Sequence, residues 1–539
     1  QELRIPAFHD QPMRSHDRGD RELALPAGEP AFAARWRASR PGWHHLSLEA
    51  RWRSGASLIM ALPDQLASGE PGDDIVRVDR GDPRFLSANG HLVWPHGPNL
   101  RSVWDVRGQK LLGTRLTVDR GTLAYDAYLT RAAAGGADVC EIWMSSWNLA
   151  LEWNANWDGF HGLGRWNLGN AWKLDRILDR AEALGMRINL VINNHGQASE
   201  KSDAEWGSSP WNRANGGPLS VAAELFTDRR AAAGQAALRR YLVGRYGDSP
   251  ALLAWKLWSE INLTSGEREA VRRWHADASS HWHDLDPWRH PVTSHWSGDY
   301  RTVDAGIAAL PGLDLLCIDA YHASPDENGL DLARLFANGL TANTSRSLAR
   351  FGKPVLITEY GGDWKACPPA QLEAEFRSGA WLALVHGYCG GPLLWWFEWI
   401  DQGNRWHQYG ALRRFLAGED LRGSAARSLP LATGNPSLWA ACWSRPGRRL
   451  GYLLDRNWGA RGGPSPSWQG VVVDQGDQVP AGRVNVEWWD ADLGRLVDQR
   501  TWTHPGGPLR IEAPPFTCHL AFKLWRQATA SVPGSAQAP

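Results

Sequence analysis

The sequence predicts an α/β protein. A (β/α)8 TIM barrel over residues 86–428 is expected, with an N-terminal β-sandwich over 1–85 and a C-terminal β-sandwich over 429–526. Three observations carry this expectation. From about 90 to 425, short apolar runs of strand length alternate with stretches of helical periodicity. At both ends the pattern changes to apolar–polar alternation broken by Gly and Pro, the habit of half-buried strands. Two of the central runs, LLAWKLWSEIN and KPVLITEYGG, finish in a glutamate, at the strand ends where barrel chemistry collects.

The elements follow in order. AFAARWRA and HHLSLEARW read as leader strands, and DDIVRVDRGDPRFLSANG leads into the barrel. LVWPHGPNL is the first barrel strand, VCEIWMSSW the second, INLVINNHG the third and LLAWKLWSEIN the fourth. HPVTSHWSG, LLCIDAYH, KPVLITEYGG and GGPLLWWFEW complete the ring. Between the second and third, Leu174, Ile177, Leu178, Ala181 and Leu184 keep helical spacing, and Gly185 closes the helix. A further helix runs from Thr227, as N-cap, through Leu238 and Leu242 to Gly247. The long connection 197–222 carries Trp206 and Trp211 and is expected to wall a cleft. Beyond 430, SLWAACWS, RLGYLLDRN and FTCHLAFKL read as strands. VNVEWWD and RLVDQRTW flank the turn ADLG as a hairpin. The small, polar tail 527–539 is expected to be disordered.

Composition removes several functions. Basic and acidic residues balance at 58 each, so bulk charge favours neither nucleic acid nor an anionic membrane surface. No run approaches the roughly 20 apolar residues of a membrane helix. The six cysteines show no CxxC spacing, and neither HExxH nor a phosphate loop is present, so neither metal nor cofactor is expected. Cys140 and Cys317 lie in apolar runs; Cys442 with Cys518, or Cys367 with Cys389, are left open as pairs. Thirty-three tryptophans remain to be explained. Each buries about 150–250 Å² when packed, and indole faces also stack on the C–H faces of sugar rings. Trp36, Trp43, Trp52, Trp439 and Trp502 read as sandwich core, whereas those clustered after strand ends read as a sugar cleft.

Two carboxylates at two strand ends of one barrel suit glycoside hydrolysis. One must stay protonated to release the leaving oxygen and one must be ionised to attack, about 5–5.5 Å apart in retaining enzymes. Unequal surroundings set their pKa values apart. Glu260, beside Trp258 and Trp255, is the candidate acid/base and Glu359 the candidate nucleophile, with Tyr321 placed to donate to Glu359. Around them, Trp147, Asn148, His195, His295, Trp296, Trp364 and Trp396 are candidates for substrate binding. Glu398 either binds substrate hydroxyls or pairs with an arginine. Glu141 is placed at the opening of strand two, the wrong end for chemistry.

These residues together resemble clan A of the glycoside hydrolases: a glutamate after strand four, a tyrosine after strand six, a glutamate after strand seven and a tryptophan (Trp395 or Trp396) on strand eight. His195, ending strand three, resembles a polar residue often found beside that catalytic pair. The leader and the C-terminal VEWWDADLGRLVD segment look like modules of apiosidase-like and related polysaccharide-degrading families. The resemblance implies a retaining β-glycosidase acting on a poly- or oligosaccharide in a secreted or periplasmic setting. One residue departs from the pattern. Ser259 stands where the clan usually has Asn bonding the sugar 2-hydroxyl, so the substrate carries an unusual 2-substituent, Asn262 or Asn148 covers that contact, or the site is degraded. A carbohydrate-binding protein on an inactivated barrel and a transglycosylase are the alternatives.

Overall fold

The computed structural model describes residues 2–38, 40–52, 54–67, 74–103, 106–115, 120–321, 332–341, 345–365, 367–460, 465–476 and 479–527. Six of the expected barrel strands form one parallel sheet in chain order: Val139–Trp143, Arg187–Asn194, Leu252–Ser259, Val292–Trp296, Leu315–Ala320 and Val355–Tyr360. They fill barrel positions two to seven. Almost all their residues are buried, as a parallel sheet covered on both faces requires.

Positions one and eight contract to single bridges. Pro98 bridges Leu394, Asn99 bridges Glu141, and Leu394 bridges Tyr360, so the sheet curls into a closed TIM-like ring. Proline accounts for the contraction: Pro95, Pro98 and Pro392 have no N–H to give to a ladder.

The helix expected between strands two and three spans Leu168–Ala183, and Asn167 Oδ1 accepts from the Asn170 N–H at 3.0 Å to start it. The next helix, Arg229–Tyr246, begins one residue later than expected. Asp228 rather than Thr227 is its cap, accepting from the Arg230 and Ala231 N–H groups. A carboxylate there also meets the positive end of the helix dipole.

Among the described residues, the leader does not build the expected sandwich. It forms four separate antiparallel pairs: Phe8–Asp10 with Ala31–Ala33, Met13–Asp17 with Glu22–Pro26, Gly42–His44 with Gln65–Ala67, and Ser47–Arg51 with Ser57–Ala61. Strands of three to five residues offer too little surface to stack as sheets. Trp43 and Trp52, expected in a core, stand 66% and 53% exposed, and Trp36 is half-buried. The leader is held by the barrel helices instead. Glu22 accepts from the Thr122 N–H at 2.6 Å at the start of helix Gly121–Gly135, and Arg35 donates to Asp175 at 2.8 Å.

The C-terminal region is β-rich but lopsided. Six strands form one antiparallel sheet in the order Arg427–Leu431, Leu438–Arg445, Arg448–Asp455, His519–Gln527, Gly482–Asp490, Arg495–His504. One face lies on the barrel helix Pro369–His386, with the Tyr452 ring stacked on Trp381 at 5.7 Å. The other face, with Val486, Trp488 and Phe522, packs against a single two-stranded pair, Val472–Asp474 with Arg510–Glu512. Trp439 and Trp502 border these cores rather than fill them. All six cysteines are unpaired thiols. Among the described residues no helix is long and apolar enough to cross a membrane. The tail expected to be disordered lies, past residue 527, outside the described residues.

Candidate active site

The barrel interior is polar below the strand ends. Glu141 lies in the middle of strand two, fully buried, not at its opening. Both its oxygens accept from Lys256 Nζ at 2.9 Å, and it also accepts from Asn189 at 2.8 Å, Trp143 Nε1 at 2.9 Å and Asn99 at 3.2 Å. Lys256 donates onward to Thr358 Oγ1 at 3.0 Å. A buried ion pair so fully hydrogen-bonded is a floor, not a reacting group.

Glu359 stands above this floor because strand seven is irregular. Ile318 pairs with Ile357 but Asp319 pairs with Glu359, so Thr358 is an extra residue. A bulge re-aims the side chains that follow it. Thr358 and Glu359, though adjacent, both reach the interior. The Tyr321 hydroxyl donates to Glu359 Oε2 at 3.1 Å and the Ser259 hydroxyl to Oε1 at 3.3 Å.

Glu260 follows strand four in a left-handed conformation, φ 53° and ψ 49°, which is uncommon for a residue with a side chain. Its Oε2 is 3.0 Å from His195 Nδ1, and His195 Nε2 is 3.3 Å from Asp203 Oδ2. Asp203 comes from the long connection after strand three. Below Glu260 lies His295, fully buried: the Glu260 N–H donates to its Nδ1 at 3.2 Å, and its Nε2 touches Asp319 Oδ1.

Charge is crowded here. Burial and then the negative charge of Glu260 push Glu359 up to about 8, against the pull of Lys256 and the Tyr321 hydroxyl. Burial, Glu359 and Glu260 raise Asp319 well above the usual carboxylate range. Burial works against ionised Glu260, yet hydrogen bonding to His195 holds it below its ordinary value. For His195 burial is outweighed by Asp203 and Glu260, which carry it up to about 9. Burial, Lys256 and His195 keep His295 neutral.

The structure thus brings together Glu260, Glu359, Tyr321, His195, Ser259 and His295. The other expected residues have these surroundings. Asn148 is a latch: its amide donates to the Arg101 and Trp143 carbonyls at 3.1 and 2.8 Å and pairs with the Tyr125 hydroxyl. Trp296 is buried, because at a strand end one residue decides between cavity and core. Trp396 is fully buried, its indole N–H donating to the Gly361 carbonyl at 2.8 Å. Its neighbour Trp395 is also buried, 5.6 Å from Trp143 and under Arg101 at 4.0 Å. Glu398 is buried and pairs with Arg101 at 3.5 Å. Trp364 is 63% exposed beside Lys365, and Trp147 is half-buried beside Trp143. Trp206 is core, while Trp211 packs on Gly234 and lines a pocket together with Gln197, Pro210 and Trp258.

With this geometry established, similarity to known proteins can be placed. No family model matches the chain. Mannan endo-1,4-β-mannosidase F of Aspergillus fumigatus is 26% identical over 204 residues, which span 35% of this chain and 43% of that protein. Mannan endo-1,4-β-mannosidase A of Aspergillus aculeatus is 24% identical over 305 residues, 52% of this chain and 77% of that protein. The match to the first relative therefore spans less than half of its length. A solved structure of a glycoside hydrolase family 5 protein from Bacteroides vulgatus superposes with a TM-score of 0.55 at 14% identity, covering 85% of this chain and 94% of that one. That likeness establishes the barrel fold. The chain resembles the clan A glycoside hydrolases.

Three site residues escaped sequence reasoning. Asp319 sits two residues before Tyr321, so strand alternation already put both on one face. Lys256 is a lone cation inside an apolar run, a signal of a buried partner. Asp203 left no signal, because a loop residue eight positions past His195 has no periodicity to place it.

Proposed function

We propose that the chain is a retaining β-glycoside hydrolase of poly- or oligosaccharides, with Glu359 as nucleophile and Glu260 as acid/base. The observation that carries this reading is the treatment of Glu359: each of its oxygens meets one hydroxyl donor, Ser259 on one side and Tyr321 on the other. Two such donors hold a carboxylate oriented and lower the cost of its charge. Glu260, just past the end of the fourth strand, has 14% of its side chain open, against 4% for Glu359.

Double displacement needs the proton on Glu260 and the charge on Glu359. In the ligand-free arrangement, His195 favours the opposite distribution. The pair shares its proton, and protonating Glu260 removes the charge that raises Glu359. Substrate enclosure displaces water from the His195–Glu260 contact and favours the neutral acid. Glu359 then attacks the anomeric carbon as Glu260 releases its proton to the leaving oxygen. Glu260 next takes a proton from water, which attacks the glycosyl-enzyme with net retention. Ser259, engaged with the nucleophile, speaks against a degraded barrel.

The relatives' names make β-1,4-linked mannan the first substrate to test, and a polymeric substrate fits an extracellular setting. Reducing-end release is measured across a polysaccharide panel for wild type and Glu359→Ala. Product from wild type alone supports the reading; equal product from both variants overturns the nucleophile assignment.

A further inference from the structure

We propose that Asp319 and His295 form a positioning unit for Glu260: a buried two-residue strut that pins the acid/base backbone in its left-handed conformation. The inference rests on the glycosidase reading for Glu260's role but on hydrogen-bond geometry for its mechanism.

The argument starts from the one donor in the network with no freedom. A backbone N–H can only donate, so the 3.2 Å contact from the Glu260 N–H requires His295 Nδ1 to carry a lone pair. A neutral imidazole with a bare Nδ1 bears its hydrogen on Nε2. The Glu260 N–H thus sets the tautomer, and the Asp319 carboxyl lies against the Nε2 side of the ring. The Ser259 hydroxyl lies 3.2 Å from the same Nδ1 and 3.3 Å from Glu359 Oε1. Because Nδ1 already accepts from Glu260, the hydroxyl is free to donate to Glu359. The strut therefore does two things at once. It holds Glu260 at φ 53°, where a non-glycine backbone is strained and persists only when its surroundings enforce it. It also directs the Ser259 hydrogen toward the nucleophile.

All three groups are fully buried, so the strut touches no substrate and acts only through Glu260 and Ser259. Strands five and six supply the strut, His295 and Asp319, and strand four supplies Ser259 beside it. That makes the acid/base position a property of the sheet rather than of a loop.

The test compares His295→Ala with His295→Asn, whose Oδ1 falls where Nδ1 stood and still accepts from the Glu260 N–H. kcat/KM is measured on aryl β-glycosides with poor and good leaving groups, with thermal melts to confirm folding. A good leaving group departs without acid help, so a misplaced acid is felt only on the poor one. Expected for His295→Ala is a loss of about 100-fold or more on the poor leaving group and less than about tenfold on the good one. His295→Asn should recover most of that difference. Equal losses on both substrates, or no recovery in His295→Asn, would overturn the proposal. Nitrogen-15 NMR of histidine-labelled protein, with the His295 signal assigned through His295→Asn, reads the tautomer without any substrate. A bare Nδ1 at neutral pH is expected, and a protonated Nδ1 would refute the strut. If wild type cleaves no glycoside, the glycosidase reading falls while the NMR result still decides the strut.

Discussion

Tyr321→Phe isolates one hydrogen bond on the proposed nucleophile. The substitution removes a hydroxyl that donates to Glu359 Oε2 at 3.1 Å and leaves the ring in place. Hydrogen bonds to charged groups contribute about 1.5–3 kcal/mol. At about 1.36 kcal/mol per decade, that is roughly a 10- to 150-fold fall in kcat/KM if the bond is kept in the transition state. The same hydroxyl pulls the Glu359 pKa down against burial and the charge of Glu260. Without it the carboxyl rises further, and ionised Glu359 is reached only at higher pH. The acid limb of the pH–kcat/KM profile must then move alkaline relative to wild type. Steady-state kinetics over a pH series on one aryl β-glycoside measures both effects. A wild-type rate, or an acid limb that moves to lower pH, would show that Tyr321 does not act on the reacting carboxylate.

Three further outcomes follow from the same structure. His195→Asn removes the imidazolium that holds Glu260 ionised, so the alkaline limb of kcat/KM should move to higher pH; movement to lower pH would refute that role. Lys256→Met leaves Glu141 buried without its cation and should destabilise by about 3–5 kcal/mol. A thermal melt at the wild-type midpoint would refute it, and adding Glu141→Leu should restore much of the loss. Asp492, despite burial, is held far below the usual carboxylate range by His519 and Arg377. A depressed carboxyl stabilises the fold above its unfolded value of about 3.9 and loses that contribution as pH falls below it. Asp492→Asn should therefore flatten the dependence of melting temperature on pH in that acid range, and an unchanged slope would refute the assignment.

Much of the site was legible because strand ends are. The apolar runs LLAWKLWS and KPVLITEY mark strands that end at Ser259 and Tyr360, so Glu260 and Glu359 fell at the mouth of the barrel from pattern alone. What the pattern could not show depends on single-residue choices. Trp395 and Trp396 are equivalent in composition, yet the first packs against Arg101 and Trp143 while the second bonds the Gly361 carbonyl. Alternation fails outright at Thr358, where a bulge lets two successive residues face inward. The leader misled for a different reason: alternation reports that a strand has two unlike faces, not whether another sheet exists to cover one. Asp319 could be placed on the right face, but its histidine partner lies on another strand, and no local spacing predicts such a contact.

The way the six-stranded sheet rests on the barrel bears on how the protein can be taken apart. Tyr452 lies flat on Trp381, Phe415 is shared between Trp381 and Trp489, and Arg377 reaches across to Asp492. Chains with several domains are often imagined as beads, each exchangeable at its linker. Here the linker is not the joint. Cutting near residue 428 would divide a shared hydrophobic interior and wet the outer side of a barrel helix. The smallest transplantable unit is therefore barrel and sheet together, and a fusion or chimera should place its seam outside both.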